Sequence, residues 1–350
     1  MEDRKYPLAR PAGHKPPVPR WTLDFPDPTP IHTAYIGVQR HDSAPNTVTA
    51  FESAKEAVEN WLNSDLIQRT ENFTFLEGDD ASQSLVWVCY WSDQGLHDKA
   101  IECLNLPSIY IKLGSSGIGL WMERFTTSPS RLETNYSGLD YLPGLARLPG
   151  SRTVEHNLTA YWGAARDRIP DSGNDQFQRG ENTAFPSMAR ESLGKRLLGT
   201  NKADNIVHIR SGQFWENCSA AEAEAYETHL EPTLRAGLQY VWENRDKSGA
   251  MGLRFLRNLD PIKTTDAKET CAAGFFRNLE DLERWSKRHP SHLAIFNGAM
   301  RHAKQFGQDR KFRTWHEVSI LKKGEIHFEY LNCRPKTGVI RFLGLDEEHL

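Results

Sequence analysis

Leu282-Glu283-Arg284-Trp285-Ser286-Lys287-Arg288-His289-Pro290-Ser291-His292-Leu293-Ala294-Ile295-Phe296 ends one helix and begins another. The break falls between His289 and Pro290, because proline suits the first position of a helix, where its missing N–H would have no partner anyway. In the second helix His292, Ile295, Phe296 and Ala299 stand at i, i+3, i+4 and i+7, on one face. A histidine thus heads an apolar stripe, and Gly298 and Ala299 leave room beside it for a flat, bulky group. Spacing alone leaves two readings open: a half-buried imidazole bonded to a nearby carbonyl, or a ligand presented to something bound along the stripe.

The same order of events occurs earlier in the chain. YWSDQGLHDKAIECLNLPSIY (90–110) and FFRNLEDLERWSKRHPSHLAIF (275–296) both run from an aromatic strand end through an amphipathic helix to Pro-Ser and an apolar helix start. Ile109 stands in the first copy where His292 stands in the second. The echo predicts two similar α+β halves, one of which carries a ligand. Strands are expected at 32–39, 84–91, 131–136, 153–162, 204–214 and 270–277, and helices at 50–62, 96–104 and 220–243. Lys322-Lys323-Gly324 between 313–321 and 325–332 reads as a hairpin turn. Residues 1–31, with eight prolines, read as an arm laid over the surface rather than an element. The polar stretch 170–200 separates a first half, 32–175, from a second, 176–350. No Gly-rich turn of a dinucleotide fold is present.

Composition narrows the class. The chain has 350 residues, 25% charged and 38% apolar, with a net charge of −3. That is ordinary for a soluble enzyme and carries no footprint of nucleic acid or anionic membrane. Ten tryptophans suit a pocket for a flat cofactor. Cys89, Cys103, Cys218, Cys271 and Cys333 are scattered, with no C-x-x-C pair, which argues against zinc knuckles, iron–sulfur sites and c-type haem attachment. The first twenty residues lack the apolar core of a signal peptide, and the longest apolar run, 85–91, is too short to span a bilayer. A cytoplasmic location follows as the expectation.

Strand alternation decides which side chains travel together. In 313–321, His316 shares a face with Thr314, Val318 and Ile320, while Glu317 and Ser319 point the other way. An inward histidine on a strand is either a core residue bonded to a carbonyl or a rigidly held acid–base group near neutrality. Ser211 shares a face with Val207 and Ile209; a lone inward serine usually bonds its own backbone. Arg166, Asp167 and Arg168 in succession read as a solvated ion cluster.

LERWSKRHPSHLAIF resembles the haem-ligand segment of the aldoxime dehydratases, with Ser291 in place of a threonine. RTWHEVSI, NIVHIRSGQF, AYWGAARDRIP and RLETNY are similar to further segments of that family, as are YIGVQ, SLGKRL, RNLD and FEYLNCRPKTG. The resemblance runs from the first strand to the C-terminal segment. It implies an α+β fold of two similar ferredoxin-like halves, antiparallel sheets flanked by helices, forming one haem-binding unit related to the dimeric α+β barrel. It further implies haem b with ferrous iron held by His292. His316 becomes the distal acid–base residue, Ser211 the distal serine, Arg168 (rather than Arg166) the arginine reaching the pocket, and Glu133 the distal glutamate. The Glu133 segment departs from the family pattern, with Leu132 for phenylalanine and Asn135 for leucine, and Arg334 replaces a histidine near the C-terminus. The activity implied is dehydration of aldoximes to nitriles by a homodimer, with an aldoxime as the small-molecule partner. Two alternatives keep the haem: a peroxidase or dismutase-like enzyme of related fold, and a non-enzymatic haem carrier or sensor.

Overall fold

The computed structural model describes residues 4–10, 13–16, 18–25, 29–114, 117–180, 192–259 and 267–350. The first strand is β1 (Arg20–Asp24), inside the segment expected to form no element. The first half runs β2 (Ile31–Arg40), α1 (Pro45–Leu62), β3 (Arg69–Gly78), β4 (Ser84–Trp91), α2 (Gln94–Cys103), α3 (Leu106–Leu113) and β5 (Ile118–Thr127). Then come β6 (Leu132–Tyr136), β7 (Arg152–His156) and β8 (Lys195–Thr200). The irregular connection expected over 170–200 lies partly outside the described residues. The second half runs β9 (Ile206–Phe214), α4 (Ala220–Ala225), α5 (Glu231–Glu243), α6 (Arg245–Ser248), β10 (Ala250–Asn258), β11 (Glu269–Phe276), α7 (Leu279–Arg288), α8 (Pro290–Phe306) and β12 (Arg313–Leu321). β13 (Ile326–Leu331) and β14 (Asp346–His349) follow.

Within one fourteen-stranded sheet, β5-β2-β4-β3 and β12-β9-β11-β10 have the same ferredoxin-like order, and β3 pairs antiparallel with β10 to join them. The echo between 90–110 and 275–296 is structural: α2 and α3 in the first half stand where α7 and α8 stand in the second. Asn105 caps α3 by accepting from the Ser108 N–H at 2.9 Å, so Pro107 opens a helix here, as Pro290 does, instead of merely ending one. The helix expected over 220–243 contains a π-turn at Tyr226–Leu230. Pro232 lies in the first turn of α5, and its missing N–H disturbs the regular ladder.

The expected hairpin between 313–321 and 325–332 does not form. β12 is paired on both edges, by β9 and β6, so β13 crosses to pair with β5 and β8. Lys322-Lys323-Gly324 is a turn between halves. β6, β1 and β7 extend the second quartet, while β13, β8 and β14 extend the first. Of the strands not expected from the sequence, β3, β5 and β10 carry charged groups on a buried face: Glu71, Glu123 and Arg254. Those charges hide the apolar alternation.

β4 shows how the layers sort. Val86, Val88 and Tyr90 enter a core shared by both halves, and Trp87, Cys89 and Trp91 enter the core under α1 and α2. The shared core contains two similar polar constructions. Arg254 lies 4.0 Å over Trp121 and bonds both Glu123 oxygens at 2.8 Å; Arg210 lies 4.6 Å over Trp315 and bonds Glu71 at 2.6 Å. Each tryptophan covers a glycine on the neighbouring strand, Trp121 over Gly37 and Trp315 over Gly212. A Cβ on Gly37 would lie 2.0 Å from the Trp121 ring, and one on Gly212 2.2 Å from Trp315. Gly37→Ala and Gly212→Ala should therefore each destabilise the fold by about 1–3 kcal/mol through overpacking, measured as a lower denaturant midpoint. Unchanged midpoints would mean that the tryptophans move aside freely.

Candidate active site

A cavity of about 400 Å³ lies between a helical wall and a sheet wall in the second half. Leu234, Leu238 and Val241 of α5 and His292, Ile295, Phe296 and Ala299 of α8 form the helical wall; Ile209 and Ser211 of β9 and Thr314 and His316 of β12 form the sheet wall. The apolar stripe read from the sequence thus faces an enclosed space. His289 ends α7 and caps α8, accepting from the Ser291 N–H, and its ring stacks on Tyr240 at 3.7 Å. This rigid corner sets where His292 emerges, one turn into α8.

His292 is 5% exposed and lies edge-on to Trp285 at 4.8 Å. Burial pushes its pKa down to about 4, with the Ser286 carbonyl opposing slightly, so the imidazole is neutral at pH 7 and has a lone pair to give. Its Nδ1 has no hydrogen-bond partner within normal geometry. A neutral, buried imidazole at the head of an apolar cavity, with the Ser286 carbonyl beside it, has the free lone pair that a metal ligand needs.

Across the cavity the strand register brings three polar residues into one row. His316 is directly opposite Ser211 on β9 and opposite Asn135 on β6. Two residues along β6, and hence on the same face, Glu133 accepts from His316 Nδ1 at 2.8 Å and from Arg168 Nε at 2.5 Å. Burial alone would raise the Glu133 pKa, but Arg168 and His316 outweigh it and hold the carboxyl below its ordinary value. For His316, burial is the largest effect and lowers the pKa; Glu133 opposes it, and Arg168 and Arg20 add to it.

Of the residues singled out in the sequence, His316, Ser211 and His292 are in the cavity wall, and Glu133 and Arg168 form a line behind His316. Arg168 itself is not among the residues lining the cavity, and its Nη2 is buried without a hydrogen-bond partner. Its guanidinium is turned to Glu133 and to the carbonyls of Thr159 and Tyr161, because a buried cation is held where anions and carbonyls compensate it. Arg166 points away and pairs with Glu283 on α7 at 3.0 Å. Sequence reading did not pick out Asn135, His156, Trp162, Arg20 or Arg310. Trp162 stands 4.8 Å from the His316 ring. Arg20 and Arg310 line the cavity with each Nε buried and unbonded, and neither ion-pairs with a carboxylate among the described residues. Burial first, then the charges of Arg310 and Arg168, pushes Arg20 down to about 9; burial first, then Arg313, with Glu222 opposing, pushes Arg310 to about 10.

These residues fit a haem. The apolar walls would suit a porphyrin, His292 could offer a nitrogen to its iron, and the Arg20 and Arg310 guanidiniums, without ion pairs among the described residues, would suit its two carboxylates. Among the described residues no group of three or more His, Cys, Asp or Glu could hold a bare metal ion.

Residues 34–339 match the haem-containing dehydratase family. The chain is 30% identical over 334 residues to an aliphatic aldoxime dehydratase of Pseudomonas chlororaphis, covering 95% of this chain and 93% of that protein. It is 29% identical over 346 residues to a phenylacetaldoxime dehydratase of Bacillus sp. (strain OxB-1), covering 96% and 95%. A crystal structure of an aldoxime dehydratase in complex with butyraldoxime superposes with a TM-score of 0.83 at 28% identity, over 98% of this chain and 94% of that one. The chain belongs to the haem-containing dehydratases, and haem is its cofactor.

The buried and exposed ion pairs give a direct comparison. Glu133→Gln leaves the Arg168 cation buried without a counter-charge and should cost about 3–5 kcal/mol. Asp24→Asn breaks the exposed Arg152–Asp24 pair of 2.9 Å and should cost at most about 1 kcal/mol. Equal losses of unfolding free energy in the two variants would show that the Glu133–Arg168 pair is solvated.

Proposed function

We propose that this protein is an aldoxime dehydratase that converts R–CH=N–OH to R–C≡N and water in the cavity between α8 and the β9–β12–β6 face. The observation that carries the reading is a neutral imidazole on the helical wall facing, across one apolar space, a second imidazole backed by an ionised carboxylate. His292 holds the haem, which is b-type because no C-x-x-C pair offers thioether links. When bound, ferrous haem supplies an open, electron-rich iron for the oxime nitrogen.

The protein's own residues supply the proton chemistry. Nδ1 of His316 is taken by Glu133, so Nε2 is the atom that exchanges protons. Hydroxide leaves poorly; as imidazolium, His316 gives the Nε2 proton to the oxime oxygen, and the N–O electron pair departs with water. The same nitrogen takes the proton from the oxime carbon, whose C–H pair becomes the new C–N π bond. The ring ends as it began. Ser211, beside His316 in the register, orients the hydroxyl. Glu133 fixes the ring and Arg168 fixes Glu133. The apolar walls keep water from competing.

Location and assembly belong to the same reading. All five cysteines are free, and none of the described helices is long and apolar enough to cross a membrane; both accord with a cytoplasmic enzyme working with reduced iron. A homodimer is the assembly the family resemblance implies, and light scattering distinguishes one chain from two.

Anaerobic, dithionite-reduced protein should form nitrile from phenylacetaldoxime or an alkyl aldoxime and stop when the haem is oxidised. His292→Ala should lose the haem absorbance. His316→Ala should keep it and lose turnover by about 10²–10⁴-fold; a variant that keeps its turnover would remove His316 from the mechanism. Because burial depresses the His316 pKa and the donor form is the protonated one, turnover should fall as pH rises through a midpoint below the ordinary 6.5. A rate that instead climbs through that range would assign the first step to the neutral ring.

A further inference from the structure

A chain of hydrogen bonds runs from a backbone amide behind the cavity wall, through Asn135 in that wall, to His316. The Leu158 N–H donates to His156 Nδ1 at 3.2 Å. His156 Nε2 is 3.1 Å from Asn135 Oδ1, Asn135 Nδ2 is 3.0 Å from His316 Nε2, and His316 Nδ1 is 2.8 Å from Glu133. Each ring nitrogen and each amide atom could in principle sit either way round. The two ends remove that freedom. A backbone N–H only donates, so His156 Nδ1 must accept, and the ring's proton lies on Nε2. That proton goes to Asn135 Oδ1, which leaves the Asn135 amino group to donate to His316 Nε2. At the other end Glu133 is a carboxylate already receiving the Arg168 guanidinium, and it accepts the His316 Nδ1 proton.

We propose that Asn135 and His156 are positioning residues that form a one-way relay, anchored on the Leu158 amide, which holds resting His316 in its Nδ1–H form with Nε2 a bare acceptor at the cavity. The inference rests on the dehydratase reading for its consequence, and on geometry alone for the tautomer. Burial, followed by the charge of Arg168, holds His156 down to about 4, so the relay is intact at neutral pH.

The relay acts on proton affinity. When His316 gains a proton at Nε2, the Asn135 amino group faces an N–H and must give way, while its carbonyl is held by His156. The imidazolium is thereby made less stable and a stronger acid toward the oxime oxygen. The charges around the ring are Glu133, which favours the imidazolium, and Arg168 and Arg20, which oppose it; Ser211 and Trp162 add none. His156 does not line the cavity, and its hydrogen bond toward His316 runs through Asn135.

The test uses holoprotein with ¹⁵N-labelled histidine in its ferrous, carbon monoxide-bound form, His316 being assigned by its disappearance in His316→Gln. Wild type should show His316 protonated at Nδ1 and bare at Nε2 at neutral pH. His156→Phe frees the Asn135 amide to turn its carbonyl to Nε2 and should raise the His316 protonation midpoint by roughly one pH unit, the scale of one buried hydrogen bond. His156→Gln keeps a donor to Asn135 and should leave the midpoint near that of wild type. A wild-type Nε2–H tautomer, or a midpoint unmoved in His156→Phe, overturns the relay. Aldoxime turnover is followed separately: no nitrile with the Nδ1–H tautomer present overturns the proposed reaction and leaves the relay, whereas nitrile formation with the Nε2–H tautomer overturns the relay alone.

Discussion

Ser211, His316 and Asn135 meet because β9, β12 and β6 pair directly opposite one another at those three residues. The strands come from distant parts of the chain, and a shift of one residue in either ladder would send His316 to the far face, where Glu317 now lies. Register is held by what surrounds it. On the far face, Trp315 covers Gly212 and carries Arg210 on its ring, and Glu317 accepts from the Leu145 N–H and the Tyr90 hydroxyl. The polar construction inside the shared core therefore fixes the row of polar side chains outside it.

The two halves share a topology and differ in what fills the space between helices and sheet. In the first half that space is packed with Trp61, Trp87 and Trp91, and Ile109 occupies the position of His292. In the second half an equivalent space is left open. The side chains there enclose about 400 Å³, the space that fits the haem, so the walls have to be held in place from elsewhere. The joined sheet, the first half's dense core and the corner at His289-Pro290 supply that support. The π-turn at Tyr226–Leu230 contributes as well, since Tyr226 and Leu230 both line the cavity.

Electrostatics divide the cavity into two chemically distinct sides. On the helical side a neutral imidazole stands among aromatic rings with no counter-charge. On the sheet side Arg168, Glu133 and His316 are aligned in a buried line in which each charge is compensated. Arg20 and Arg310 are the exceptions: neither forms an ion pair among the described residues, and their placement at the same cavity suits a cofactor that brings its own carboxylates. A buried charge without a partner in the protein is informative because it is costly to keep.

The sequence by itself determined the helix break at Pro290, the stripe headed by His292 and the inward placement of His316 and Ser211. These depend on local rules: a residue without an N–H, a 3.6-residue period and a two-residue period. The duplication was legible too, through the Pro-Ser echo, and resemblance to a family attached Glu133 and Arg168 to the site. Only the tertiary structure decided that β13 crosses to the first half and that Arg168 stands behind Glu133. It alone brought Asn135 and His156 to His316. Those facts depend on which strand edges are already occupied and which charges are compensated. No periodicity along the chain encodes them, because partners such as Glu133 and His316, 183 residues apart, meet only when the sheet forms.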